Sequence, residues 1–227
     1  MIDLGFDEGV YILRMQSGEN RFNLDFLEAL NGALDEVEKS SGPAALVTTG
    51  DGKFYSNGLD LEWITAQSPN ELPAFGKLLQ RTFARLVAFP LVTVAAMNGH
   101  VFAAGAALAM SHDFRVMRSD RGYFCFPEVD IGVPFSAGVM GILKSRLPSA
   151  TLHEALITGR RYDAEAALSG GIVDAVHSES DVLPKAIEMA SALKGKDRAT
   201  LVALRRGLYG KVIAQLTRDS ESAASRK

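Results

Sequence analysis

Ser56-Asn57-Gly58-Leu59-Asp60-Leu61 and Asn98-Gly99-His100, running on through Ala103-Ala104-Gly105-Ala106-Ala107, decide how this chain is read. Each stretch joins an apolar, strand-like run to a helix-like one. At such a junction the first backbone N–H groups of the helix lack partners within it and can point at a ligand. Small side chains matter here, because a ligand reaches backbone only where bulk is absent. Two N–H groups converging on one oxygen would form an oxyanion hole, which stabilises an enolate or tetrahedral anion. Taken singly, Asn57-Gly58 and Asn98-Gly99 are ordinary turn signals, since Asn-Gly favours positive φ. Their combination with the small residues at 103–107 lifts them above that.

The flanking segments set these loops in an alternating pattern. Residues 10–15 are rich in strand formers and follow the turn-like Asp7-Glu8-Gly9, which predicts an opening hairpin. Asn23 is placed to cap a helix in which Leu27, Leu30, Leu34 and Val37 recur at helical spacing; Gly42-Pro43 stops it. Residues 44–49 read as a buried strand ending in the Gly50-Asp51-Gly52 turn. After the first loop come a short helix at 61–66 and a longer one over 72–89, closed by Pro90. The next buried strand spans 91–97, and a helix of very small residues spans 103–111. Residues 114–117 then alternate as a strand. Beyond Pro134, segments 136–147, 151–158, 163–169, 182–194 and 198–213 read as helices, with one extended piece at 172–176 and a polar, frayed tail after Thr217. This predicts an α/β fold, with a parallel-rich sheet core over 1–134 and a helical C-terminal layer over 135–227 in one continuous unit. The sequence shows no close internal repeat and no low-complexity linker.

Composition narrows the function classes. A chain of 227 residues, 47% hydrophobic and 22% charged, is long enough for one large domain with a sizeable core. Its formal net charge of −3 and pI near 5.8 predict no general attraction to nucleic acid or to an anionic membrane. A single cysteine, Cys125, excludes an intrachain disulfide and suits a reducing compartment. No apolar run is long enough to span a bilayer. Met1-Ile2-Asp3-Leu4-Gly5 does not read as a signal or transit peptide. Ser225-Arg226-Lys227 departs from a peroxisomal address, which normally ends in Leu. The expectation is a cytoplasmic protein.

Neither loop has the glycine spacing of a phosphate cradle. Glu128 lies between Phe124-Cys125-Phe126-Pro127 and Val129-Asp130-Ile131-Gly132-Val133-Pro134. A carboxylate in so apolar a stretch is either paired structurally or has a raised pKa suited to a general base. The local sequence allows both, and a strand-like alternation would point Asp130 elsewhere. His100, His112, His153 and His177 show no metal-ligand spacing, so no metal is expected. His100, inside the second loop, is either structural or pocket-lining. Cys125 and Trp63 read as packing residues, and Ser56 lacks the G-x-S-x-G elbow of a hydrolase.

In order along the chain, the segments 53–61, 98–110 and 126–132 resemble the enoyl-CoA hydratase/isomerase (crotonase) family, and the resemblance covers nearly the whole chain. It implies a spiral of repeated ββα units with a helical C-terminal layer, assembling as a homotrimer or hexamer. It implies the N–H groups of Leu59 and Ala104 as oxyanion donors and Glu128 as the acid–base residue. Hydratases of the family carry a further glutamate on the helix after the second loop, where Ala107 stands here. With Glu128 alone, and with Gly18-Glu19-Asn20-Arg21-Phe22-Asn23, the chain most resembles the 3-enoyl-CoA to 2-enoyl-CoA isomerases. The implied partner is an acyl-CoA thioester substrate, coenzyme A being part of it rather than a separate cofactor. Arg21, Phe22, Lys53, Ser56 and Leu61 would lie near the coenzyme A moiety, with Asn57, Gly58, His100 and Gly105 of the loops completing the substrate-binding set. Other reactions of the family (hydration, thioester hydrolysis, decarboxylation) and non-catalytic acyl-CoA binding remain as alternatives.

Overall fold

The structure is a computed structural model that describes residues 1–68, 70 and 72–225, with side chains to residue 222. The chain opens with β1 (Ile2–Asp7), β2 (Val10–Met15) and α1 (Leu24–Lys39). Three turns of a spiral follow. The first holds β3 (Ala45–Gly50), β4 (Phe54–Ser56), α2 (Leu61–Ala66) and α3 (Leu72–Val87). The second holds β5 (Val92–Met97), β6 (His100–Phe102) and α4 (Ala104–Met110), and the third β7 (Phe114–Arg118), β8 (Phe124–Cys125) and α5 (Glu128–Ile131). The remainder is α6 (Ala137–Arg146), α7 (Ser149–Thr158), α8 (Ala164–Ser169), β9 (Ala175–His177), α9 (Val182–Leu193) and α10 (Arg198–Ser225).

Each spiral turn gives one strand to each of two sheets. The larger runs β1-β2-β3-β5-β7-β9, parallel except for the opening hairpin, and the smaller runs β4-β6-β8, all parallel. The ββα repeat is therefore one of topology, not of residues. Strands β3 and β5 are buried along their full length, as parallel strands covered on both faces must be. The hairpin turns at Glu8 (φ +44) and Gly9 (φ +89), the two positive φ values of a tight two-residue connection. Asn23 caps α1, its Oδ1 accepting from the Phe26 N–H at 2.9 Å, and Phe26, Leu27, Leu30, Leu34 and Val37 are the buried face.

Three expectations are corrected. The small sheet lies in the two stretches read as loops and in residues 124–125, to which the sequence assigned no element, because strands of two or three residues are too short to show alternation. Residues 128–131 form a helical turn, not a strand. The tail after Thr217 is not frayed: α10 continues to Ser225, with Leu216 and Ser220 fully buried. Its anchor is Asp219, whose carboxylate accepts from the Gly138 N–H at 2.7 Å in the first turn of α6. Such a cap satisfies one of the donors that a helix start leaves open. Arg226 and Lys227, the end of the segment read against a peroxisomal address, lie outside the described residues.

The chain beyond Pro134 is tied back to the core. Strand β9 extends the large sheet, and α9 packs on that sheet through Val182, Ala186 and Ala190. Arg205 of α10 is buried with its guanidinium on Leu91 O (2.9 Å) and the Asp113 carboxylate. Among the described residues no helix is long and apolar enough to cross a membrane.

Candidate active site

The first loop leaves β4 under tight control. Asn20, fully buried at φ +51, donates from Nδ2 to Phe54 O (3.3 Å) and Tyr55 O (3.0 Å). The Ser56 hydroxyl donates to Asn20 O (2.8 Å) and accepts the Gly58 N–H (3.2 Å). Phe22 and Leu59 then form a parallel bridge: Phe22 N–H donates to Gly58 O (2.7 Å) and Asp60 N–H to Phe22 O (3.0 Å). In that geometry the groups flanking Leu59 face Phe22, so the N–H of Leu59 itself faces the opposite way. No group among the described residues accepts it.

A second open N–H group sits at the start of α4. Ala104 is the first helical residue, and the first intrahelical bond is Ala107 N–H to Ala103 O at 3.0 Å. The Ala104 N–H is thus open, and nothing among the described residues takes it. Ala103 before it has φ +52 and ψ −123, a conformation that L-residues avoid and that costs ~1–3 kcal/mol. The two loops are pressed together through glycine. A Cβ on Gly58 (φ +85) would stand 2.9 Å from Ala103 Cβ and 3.1 Å from Ala104 N, and one on Gly105 would stand 2.6 Å from Ser56 O. The absence of these two carbons lets the two loops, each with its open N–H group, meet.

Glu128 comes from the third spiral turn, as the first residue of α5 after Pro127. Its Oε2 is buried without a hydrogen-bond partner among the described residues. Burial pushes its pKa up to about 7, opposed only by a bond from its own backbone. The pairing that the local sequence left open does not occur. Asp130 is exposed and lies against the Gly159 backbone, outside the cavity.

Leu59, Ala104 and Glu128 line one cavity of about 880 Å³. Arg21, Asn57, Leu61 and Glu62 line it too, as do Phe83, Phe102, Cys125 and Arg161. The remaining residues of the expected binding set do not line it. Phe22, Ser56, Gly58 and Gly105 are buried behind the loops they brace. Lys53 is exposed over the Phe54 ring, and His100 lies among Phe54, Phe102 and Tyr123, its pKa lowered by burial and then by nearby cations. Ala107 is fully buried in the core. Cys125, read as packing, is buried yet touches the cavity; burial raises its thiol pKa to about 11, which keeps it protonated.

Glu19, within the 18–23 stretch, has no local signal of a role in the site. Its Oε2 accepts from Asn57 Nδ2 (2.6 Å) and Arg21 Nε (2.7 Å), so one carboxylate orients two residues of the cavity wall. Those bonds, the Asn57 one foremost, hold its own pKa below the usual carboxylate range.

Behind the loops runs a fully buried chain, Tyr55–Thr48–His112. His112 Nδ1 lies 2.9 Å from Leu108 O, which can only accept; Nδ1 therefore carries the proton and Nε2 accepts from the Thr48 hydroxyl at 2.9 Å. Thr48 in turn accepts from the Tyr55 hydroxyl at 2.8 Å. The chain joins β4 just before the first loop to the end of α4. His112 must stay neutral, and burial pushes its pKa down to about 4 from 6.5. Its contribution to stability is complete above 6.5 and is lost as pH falls towards 4. Glu128 acts in the opposite sense, its contribution being lost as pH rises from 4.5 to about 7. In Glu128→Gln the second effect is gone. Thermal melts of that variant between pH 7 and 4.5 are expected to show a steeper fall in Tm than those of the wild type. An equal or shallower fall would contradict the opposed titrations.

The family model described as enoyl-CoA hydratase/isomerase matches residues 5–225. The chain belongs to the enoyl-CoA hydratase/isomerase family. Within this family it is 34% identical to enoyl-CoA delta isomerase 2, peroxisomal, of Arabidopsis thaliana over 92% of each chain. It is also 37% identical over 164 residues to a carnitinyl-CoA dehydratase of Citrobacter koseri, covering 71% of this chain and 61% of that one. Among solved structures, human mitochondrial delta3-delta2-enoyl-CoA isomerase superposes with a TM-score of 0.91 at 23% identity, covering 99% of this chain and 90% of that one; this shows the shared crotonase fold.

Proposed function

We propose that the protein is an enoyl-CoA isomerase that shifts the double bond of a 3-enoyl-CoA to the 2-position, with Glu128 as its single acid–base residue. The observation that carries the reading is one cavity lined by two residues with open backbone N–H groups and by a glutamate whose Oε2 is buried without a partner among the described residues. Glu62, the other lining glutamate, has a side chain 91% exposed and does not share that environment. The names of the Arabidopsis and human relatives support the same activity.

In this reading the thioester oxygen accepts from the N–H groups of Leu59 and Ala104. Glu128 takes the C2 proton, the electron pair passes into a dienolate held by those donors, and the same carboxyl returns the proton at C4. The C3 double bond has then moved to C2 with no net change in atoms. Arg21, Asn57 and Leu61 are placed for the coenzyme A portion, which arrives as part of the substrate, so no separate cofactor is invoked. Assembly as a homotrimer or hexamer belongs to the same proposal, supported by the exposed apolar side chains of Val129, Ile131 and Val133. A single buried free thiol suits the cytoplasm, and equally the peroxisome or mitochondrion in the names of those relatives.

Incubation with a 3-enoyl-CoA is expected to yield ultraviolet absorbance of the conjugated 2-enoyl thioester. Because Glu128 must be ionised to act, kcat/KM should fall about tenfold per pH unit below about 7. A profile flat from pH 8 to 5 would remove Glu128 from the role. The dehydratase relative favours a second reading, addition or removal of water. Family hydratases hold that water with two acids, and Ala107 replaces the first, so 3-hydroxyacyl product is expected to be absent.

A further inference from the structure

Helices α3 and α6 and the residue before the α6 cap supply an apolar part of the cavity wall, formed by Leu79 and Phe83, Val139, and Phe135. Two polar side chains interrupt it, Gln80 and Ser136. Ser136 caps α6, its Oγ accepting the Val139 N–H at 3.2 Å, and Oγ lies 3.0 Å from Gln80 Oε1. The hydroxyl proton therefore goes to Oε1, which turns the amide carbonyl towards Ser136 and leaves the NH₂ end away from it. No group among the described residues accepts either of those N–H bonds. A hydrocarbon chain lying here would displace water from the amide and return nothing, whereas an acceptor oxygen would replace that water.

We propose that Gln80, oriented by Ser136, determines specificity by favouring acyl-CoA thioesters whose acyl chain bears a hydroxyl or keto oxygen beyond the reacting carbons over plain hydrocarbon chains. The inference rests on the acyl-CoA reading above and adds the class of acyl group. A site built to hydrogen-bond a substrate group discriminates against the analogue lacking it, because the site's own polar atom is left unpaired.

The test compares two 3-enoyl-CoA thioesters of equal length, one plain and one hydroxylated near its far end, on wild type and Gln80→Met. Methionine keeps the length of the side chain and removes the donor. The ratio of kcat/KM, hydroxylated over plain, is expected to fall about tenfold in Gln80→Met, mainly through KM. Ser136→Thr, which keeps the cap and the hydroxyl, should retain the wild-type ratio, while Ser136→Ala should lose about a third to a half of the preference on a logarithmic scale. An unchanged or raised ratio in Gln80→Met overturns the proposal, even if both thioesters are isomerised and the isomerase reading stands. If wild type binds both thioesters calorimetrically but converts neither, the isomerase reading fails and the proposal is judged on the ratio of Kd values. Binding of neither overturns both.

Discussion

Glu128→Gln is expected to lower kcat for 3-enoyl-CoA isomerisation about 10³-fold, within the ~10²–10⁴ that a positioned acid–base group contributes. The amide fills the same volume, so binding of the 2-enoyl-CoA product should change little; the loss belongs to kcat. Stability should move the other way. In the wild type an ionised carboxylate whose Oε2 is buried without a partner is held in place, and its pKa near 7 records that cost. The variant is therefore expected to melt higher than wild type at pH 8, with the difference vanishing below pH 4.5. Activity loss joined to a gain in Tm marks a functional carboxylate. Loss of both would mark Glu128 as a structural residue and sink its assignment as the base.

Gly58→Ala is expected to cost about 10²–10³ in kcat, comparable to removing one oxyanion donor, although it deletes no hydrogen-bonding group. The new Cβ would stand 2.9 Å from Ala103 Cβ and 3.1 Å from Ala104 N, at a φ of +85 that alanine resists. Both strains are relieved by moving the first loop away from α4, which carries the Leu59 and Ala104 donors apart. Ground-state affinity for a saturated acyl-CoA should fall far less than kcat, because the donors matter most where charge develops on the thioester oxygen. A drop in Tm of several degrees is also expected, so turnover must be measured well below the melt. Wild-type kcat in a folded Gly58→Ala protein would show that the two N–H groups are not a cooperating pair.

The legible parts of this chain were those written in local chemistry. Asn23 followed by a 3.6-period run of leucines specifies α1 with its cap, and Glu8-Gly9 specifies a hairpin through two positive φ values. The small residues at 56–58 and 103–107 identified the loops, because glycine or alanine is demanded wherever two backbones touch. Strands β4, β6 and β8 were not legible, since two or three residues carry no period and each exists only by pairing with segments 23 to 46 residues away. The run 218–225 looked like a polar tail because the residues that hold it, Gly138 and the start of α6, are about 80 residues upstream.

For the site, the sequence by itself determined the residue types: two loops able to bare their N–H groups and one acid among apolar neighbours. Only the tertiary structure decided that Glu128 Oε2 has no partner among the described residues and that Glu128 shares a cavity with Leu59 and Ala104. It also decided that Glu19 steers Arg21 and Asn57, and that Gln80 turns its amide away from Ser136. The physical reason is the same in each case. Whether a polar atom is satisfied depends on groups that the fold brings within about 3 Å, and distance along the chain carries no record of that.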